Sequence, residues 1–112
     1  MSSSSWIKVC NVDDLVDNSG VCALVEDKQV ALFKLAGADD VYAIGNWDPL
    51  GKANVLSRGI IGSINDAVVV ASPLYKQHFC LKTGMCFEDD DVTVPVYATR
   101  VEDLHVFVQV AS

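Results

Sequence analysis

The order of apolar and polar positions predicts short strands and almost no helix. Trp6, Lys8 and Cys10 alternate with Ile7 and Val9, the period of a half-buried strand. Asn11-Val12-Asp13-Asp14-Leu15-Val16 predicts a single helical turn, with Asn11 able to cap it and two acids in its favourable first turn. Asn18-Ser19-Gly20 ends that piece. Three apolar runs follow, Val21–Val25, Lys28–Leu35 and Val41–Ile44, parted by Glu26-Asp27 and by Ala36-Gly37-Ala38-Asp39-Asp40. Glycine, aspartate and charged pairs accept turn geometry, so both separators predict hairpin connections and the runs predict an antiparallel meander.

Further on, Ile60-Ile61-Gly62-Ser63-Ile64 and Ala67-Val68-Val69-Val70-Ala71 predict two strands joined by a two-residue turn at Asn65-Asp66, the second strand buried on both faces. Lys82-Thr83-Gly84 predicts a three-residue turn that pairs Leu81 with Met85, Cys80 with Cys86 and Phe79 with Phe87. That register puts Phe79, Leu81, Met85 and Phe87 on one apolar face and the two cysteines together on the other. Val94–Arg100 and Leu104–Val110 alternate strongly and predict a final hairpin closed by Val101-Glu102-Asp103. Pro95 belongs at a sheet edge or a strand start, because it has no N–H to give to a ladder. The fold class is therefore all-β, a small antiparallel sandwich or barrel with two proline-centred loops gathered at one end. Residues 6–110 form one domain, preceded by a flexible polar tail over residues 1–5.

Composition narrows the class of function. A chain of 112 residues, about half apolar, suffices for one domain and not for two. A formal charge of −7 with eight scattered Lys and Arg argues against nucleic acid, which needs a basic patch. Met1-Ser2-Ser3-Ser4-Ser5 has neither the basic start nor the apolar run of a signal peptide, and no apolar stretch approaches the ~20 residues that span a bilayer. A cytoplasmic location and no membrane association are expected, and in that compartment the four cysteines are expected as free thiols.

Two short loops centred on prolines hold the candidate chemistry. They are Asn46-Trp47-Asp48-Pro49-Leu50-Gly51 and Ser72-Pro73-Leu74-Tyr75-Lys76-Gln77-His78-Phe79. They resemble the two ligand boxes of a Rieske iron–sulfur domain, N-x-C-P-H and C-P-x-H-G-x-x-F. Trp6-Ile7-Lys8-Val9, Val41-Tyr42-Ala43-Ile44, Leu56-Ser57-Arg58-Gly59, Lys82-Thr83-Gly84 and Val94-Pro95-Val96-Tyr97 resemble framework positions in the same order, so the likeness covers nearly the whole chain. The ligands do not survive. Asp48 and Leu50 stand at the first Cys and His, and Ser72 and Tyr75 at the second pair. A Rieske centre takes two thiolates on one iron and two imidazoles on the other. A carboxylate, a hydrocarbon, an alcohol and a phenol are the wrong donors for sulfide-bridged iron.

The particular boxes, N-x-D-P and S-P-L-Y-K-Q-H-F, resemble those of the small-subunit family of assimilatory NAD(P)H-dependent nitrite reductases. That resemblance implies a large-subunit partner that carries FAD, an iron–sulfur cluster and siroheme and reduces nitrite to ammonium. It also implies no cofactor and no catalytic residue in this chain, whose part is to dock on the large subunit and support it. Two other functions stay open, an electron carrier holding a [2Fe-2S] cluster through atypical ligands and a free-standing interaction module.

Trp47, Leu50 and Tyr75 either fold inward to fill the space of a cluster or form an apolar docking patch with Lys76, Gln77 and His78, since aromatic anchors are frequent hot spots. His78 with Cys80 and Cys86 is a conceivable metal trio, although it lacks the paired short spacings of zinc sites. Glu88-Asp89-Asp90-Asp91 is expected as a solvated link, because unbroken like charges repel. Ser72 has no base at motif spacing and His105 falls in the closing strand, so no nucleophile–base pair is expected.

Overall fold

The computed structural model describes residues 4–35, 41–74, 77–89 and 91–111. Its strands are β1 (Ser4–Asn11), β2 (Ser19–Val25), β3 (Lys28–Lys34), β4 (Val41–Gly45), β5 (Trp47–Asp48), β6 (Ala53–Asn54), β7 (Ile60–Ile64), β8 (Ala67–Ala71), β9 (His78–Cys80), β10 (Val96–Tyr97), β11 (Thr99–Glu102) and β12 (His105–Ala111). Among the described residues helix is limited to two 3₁₀ turns, Val12–Asp14 and Leu56–Arg58. Among the described residues no helix is long and apolar enough to cross a membrane.

The antiparallel strands make three larger sheets, β1-β12-β11, β10-β4-β3-β2 and β7-β8-β9, with β5 and β6 as a separate small hairpin. The four-stranded sheet is central because both of its faces are covered. On β3, Val30 and Leu32 point to one side and Ala31 and Phe33 to the other, all four without exposed surface. The first side packs with Val106 and Val108 of β12 and with Ile7 and Val9 of β1. The second packs with Val70, Phe79, Leu56 and Leu81 under the sheet β7-β8-β9. Removing a side chain such as Phe79 from this second core should cost about 3–5 kcal/mol.

The turns explain the register. Glu26-Asp27 and Asn65-Asp66 each take two consecutive positive φ angles, the geometry whose twist suits a two-residue hairpin. β1 pairs with β12 along nearly its whole length, with Ser4 opposite Ala111 and an irregularity between Lys8 and Cys10. The strand thus starts at Ser4, inside the stretch expected as a tail. The predicted connection over residues 36–40 lies outside the described residues.

Three expectations need correction. Residues Val94–Arg100 do not form one strand. β10 pairs with β4, after which β11 pairs with β12, so the chain passes from the central sheet to the outer one near Ala98. The closing turn is Asp103-Leu104, both at positive φ, rather than Val101–Asp103, because β11 continues through Glu102. The turn after β9 has four residues, not three. Cys80 donates its N–H to Met85 O at 2.9 Å and accepts from Gly84 N at 2.8 Å, which places Phe79 opposite Cys86. A one-residue slip sends every following side chain to the other face. Cys86 therefore enters the core and Met85 is turned out, 37% exposed. Pro95 stands just before the edge strand β10, where a missing N–H is harmless.

Candidate functional site

The two proline loops meet at one end of the molecule, and hydrogen bonds fix how they meet. β4 delivers Asn46, which is buried and bonded on every side. Its backbone N–H donates to Gln29 O at 3.0 Å, and its carbonyl accepts from Leu56 N at 3.1 Å. Its amide donates to Gln29 Oε1 at 3.1 Å while Oδ1 accepts from Ser57 N at 2.7 Å. Asn46 thus ties the first loop to β3 and to the Leu56–Arg58 turn. Asn46 opens the first box in the sequence, and the signal for its tethering role is an amide directly after a buried strand, which must find partners.

Beyond Asn46 the strand alternation decides which way each side chain points. Trp47 faces out, 49% exposed, and Asp48 faces in with no exposed surface. The Asp48 carboxylate is then filled. Oδ1 accepts from Leu50 N at 2.9 Å and Gly51 N at 3.0 Å, a turn closed by an aspartate side chain. Oδ2 accepts a hydrogen bond from Ser72 Oγ. Ser72 is itself buried, donates its N–H to Gln77 O at 2.9 Å and accepts from Leu74 N at 3.3 Å. The loops are also in close contact at Gly51, where an added Cβ would stand 2.5 Å from Leu74 Cδ1.

The residues at the two cysteine positions of the ligand boxes are therefore bonded to each other. Leu50, at a histidine position, is half-buried and packs against the core that holds Phe33 and Phe79. Tyr75 and Lys76 lie outside the described residues. Asp48, Ser72 and Leu50 offer one hydrogen-bonded carboxylate, one hydroxyl and no lone pair, a donor set that does not fit a Rieske cluster.

The remaining candidates separate. Trp47 and Leu50, left open as plug or patch, differ in burial: Leu50 is half-buried against the core and Trp47 is turned outward. Trp47 and Pro49 line a groove of ≈ 340 Å³ together with Val94, Pro95 and Tyr97. Gln77 is half-buried. His78 is held by Glu88, which accepts its backbone N–H at 2.8 Å and lies 2.6 Å from its Nδ1. Partial burial raises the Glu88 carboxyl, but the His78 N–H and ring outweigh that and hold it below its ordinary value. The acidic link is thus anchored at its first residue.

The trio of His78, Cys80 and Cys86 does not assemble, because the register slip places Cys86 opposite Phe79 in the core. Among the described residues no three His, Cys, Asp or Glu are gathered to hold a metal ion. All four cysteines are free thiols. Burial pushes the Cys86 thiol up, against opposing backbone hydrogen bonds from Glu88 and Asp89.

Three packed antiparallel sheets with two proline loops interlocked at one end define a Rieske-type domain, and the chain belongs to the Rieske-like [2Fe-2S] domain family, which matches residues 5–109. Within it, the chain falls among nitrite reductase small subunits. It is 46% identical over 100 residues to the nitrite reductase (NADH) small subunit of Escherichia coli (strain K12), covering 89% of this chain and 93% of that protein. The solution structure of the nitrite reductase [NAD(P)H] small subunit from Erwinia carotovora superposes with a TM-score of 0.83 at 47% identity, over 96% of this chain and 82% of that one. The chain is also 35% identical over 108 residues to the nitrite reductase [NAD(P)H] large subunit of Klebsiella oxytoca, which covers 96% of this chain and 11% of that protein.

Proposed function

We propose that this chain is the non-catalytic small subunit of an assimilatory NAD(P)H-dependent nitrite reductase, which docks on the large catalytic subunit and supports it in the cytoplasm. The observation that carries the cluster-free part is the bond between Ser72 and Asp48. Binding iron there would require breaking it and supplying sulfur and nitrogen donors that Asp48, Leu50 and Ser72 lack. No redox step is routed through this chain, and FAD, the iron–sulfur cluster and siroheme belong to the partner.

The docking part draws support from the loop end, where Trp47 and Leu74 are exposed on a framework fixed by Asn46 and Asp48. Anchors on a rigid base lose little freedom on binding. The likeness to a segment of the Klebsiella oxytoca large subunit supports the same reading, since a fold carried within one chain there is expected to act against the same body when separate.

Two measurements test this reading. Chain captured from cells grown on nitrate is expected to bring down a siroheme-containing reductase, and capture without one removes the functional content. Protein purified without an affinity tag and treated with iron and sulfide under anaerobic conditions is expected to stay colourless. Stoichiometric iron and acid-labile sulfide would make the chain an electron carrier instead.

A further inference from the structure

The sheet β7-β8-β9 buries one row of side chains and presents the next. Ile61, Val70 and Phe79 stand opposite one another across the three strands, with Val70 and Phe79 fully buried. One residue along, the row Ile60, Ala71 and His78 points the other way. Ile60 is 77% exposed, the highest value among the large apolar side chains of the described residues. With Arg58, Ser72 and Pro73 this row lines a groove of ≈ 410 Å³. Ser72 is the residue bonded to Asp48, so the groove adjoins the interlocked loops.

Two further features set this face apart. β7 is the outer strand of its sheet, and its sequence, Ile60-Ile61-Gly62-Ser63-Ile64, has none of the charges or prolines that protect free edges. The groove also carries a fixed positive charge, Arg58, on an acidic chain, which has 15 acids against eight Lys and Arg. His78 is paired with Glu88, whereas Arg58 has no ion-pair partner among the described residues. A guanidinium with no ion-pair partner among the described residues, beside an exposed isoleucine, is complementary to a carboxylate beside an apolar side chain.

We propose that this groove grips the large subunit, and that its occupant is a segment presenting a carboxylate to Arg58 and an apolar side chain to Ile60. The proposal rests on the small-subunit reading and names its contact chemistry. A second copy of this chain is the poorer occupant, because it would bring together two chains that each have a formal net charge of −7.

The test measures binding of the wild-type chain, Arg58→Glu, Ile60→Asp and Leu24→Asp to the purified large subunit from the same source, with melting temperatures alongside. Leu24 is exposed on β2, so Leu24→Asp controls for added charge. Arg58→Glu and Ile60→Asp are each expected to weaken binding about tenfold or more, while Leu24→Asp binds like wild type. Salt should weaken the wild type more than Arg58→Glu. Should Ile60→Asp melt low, Ile60→Ser replaces it. Wild-type binding by both groove variants, or equal weakening by Leu24→Asp, overturns the proposal. If Trp47→Ala then weakens binding in the same assay, docking through the loop end survives and the groove alone fails. A wild-type chain that does not bind the large subunit refutes the small-subunit reading itself. Groove variants that abolish a self-dimer in light scattering, yet bind the large subunit normally, assign the groove to a second copy and overturn the proposal.

Discussion

Replacing Asp48 by Ala should be among the most damaging single changes outside the apolar core. The carboxylate has no exposed surface and accepts three hydrogen bonds, from Leu50 N, Gly51 N and Ser72 Oγ. Its loss leaves three donors without an acceptor, each costing about 1–3 kcal/mol when buried. The two backbone donors sit in a surface loop and can turn partly to water, so the lower end applies to them, and the sum is about 3–4 kcal/mol. A domain of this size has about 5–15 kcal/mol in all. The melting temperature should fall by roughly 12–18 °C, from the usual unfolding entropy per residue. Ser72→Ala removes two hydrogen bonds, the one given to Asp48 Oδ2 and the longer one accepted from Leu74 N, and leaves buried Oδ2 without that donor, which should cost about 1–3 kcal/mol. The double variant should lose less than the sum of the singles, because both remove the same bond. Urea denaturation of the four proteins gives these values by linear extrapolation. A loss below about 1 kcal/mol for Asp48→Ala, or strict additivity in the cycle, would refute the view that this pair locks the loops together.

Three more outcomes follow from the same geometry. Trp47→Ala should cost under about 1 kcal/mol, since the ring is half out of the protein, yet reduce capture of the large subunit; a large drop in melting temperature with capture intact would contradict its role as an anchor. Gly84→Ala should destabilise by more than about 2 kcal/mol, because Gly84 has φ +78 and a Cβ would meet Val94 O at 2.1 Å, and denaturation midpoints check it. Glu88→Gln tests the clamp on His78: the folded carboxyl titrates below its ordinary 4.5, so its stabilisation is full above that pH and is lost as pH falls through the lower folded value. Wild type should therefore exceed Glu88→Gln at pH 6 and converge with it in acid, and a difference that grows in acid would reverse the assignment.

Much of the fold is legible in the chain because strand periods and two-residue turns are local signals. Glu26-Asp27 and Asn65-Asp66 announce their hairpins with residues that accept positive φ, and the strands beside them follow. What stayed hidden depends on partners distant in sequence. The four-residue turn at Leu81–Gly84 and a three-residue one share the same glycine, and only the core, by taking Cys86 rather than Met85, selects between them. The division of Val94–Arg100 between two sheets is invisible in an alternating pattern that suits either sheet. At the site, the loops, their gathering at one end and the replaced ligand positions were readable, but the hydrogen bond that joins them was not. Ser72 and Asp48 are 24 positions apart, and neither motif names its partner.

The pairing of β1 with β12 has a consequence for how this domain is joined to larger proteins. Ser4 and Ala111 stand side by side on one sheet, so polypeptide added before the first strand or after the last departs from a single place on the surface. Splicing such a unit into a longer chain requires no threading and no unravelling of either flank. The same compact body can thus be supplied as a separate product or as an insert.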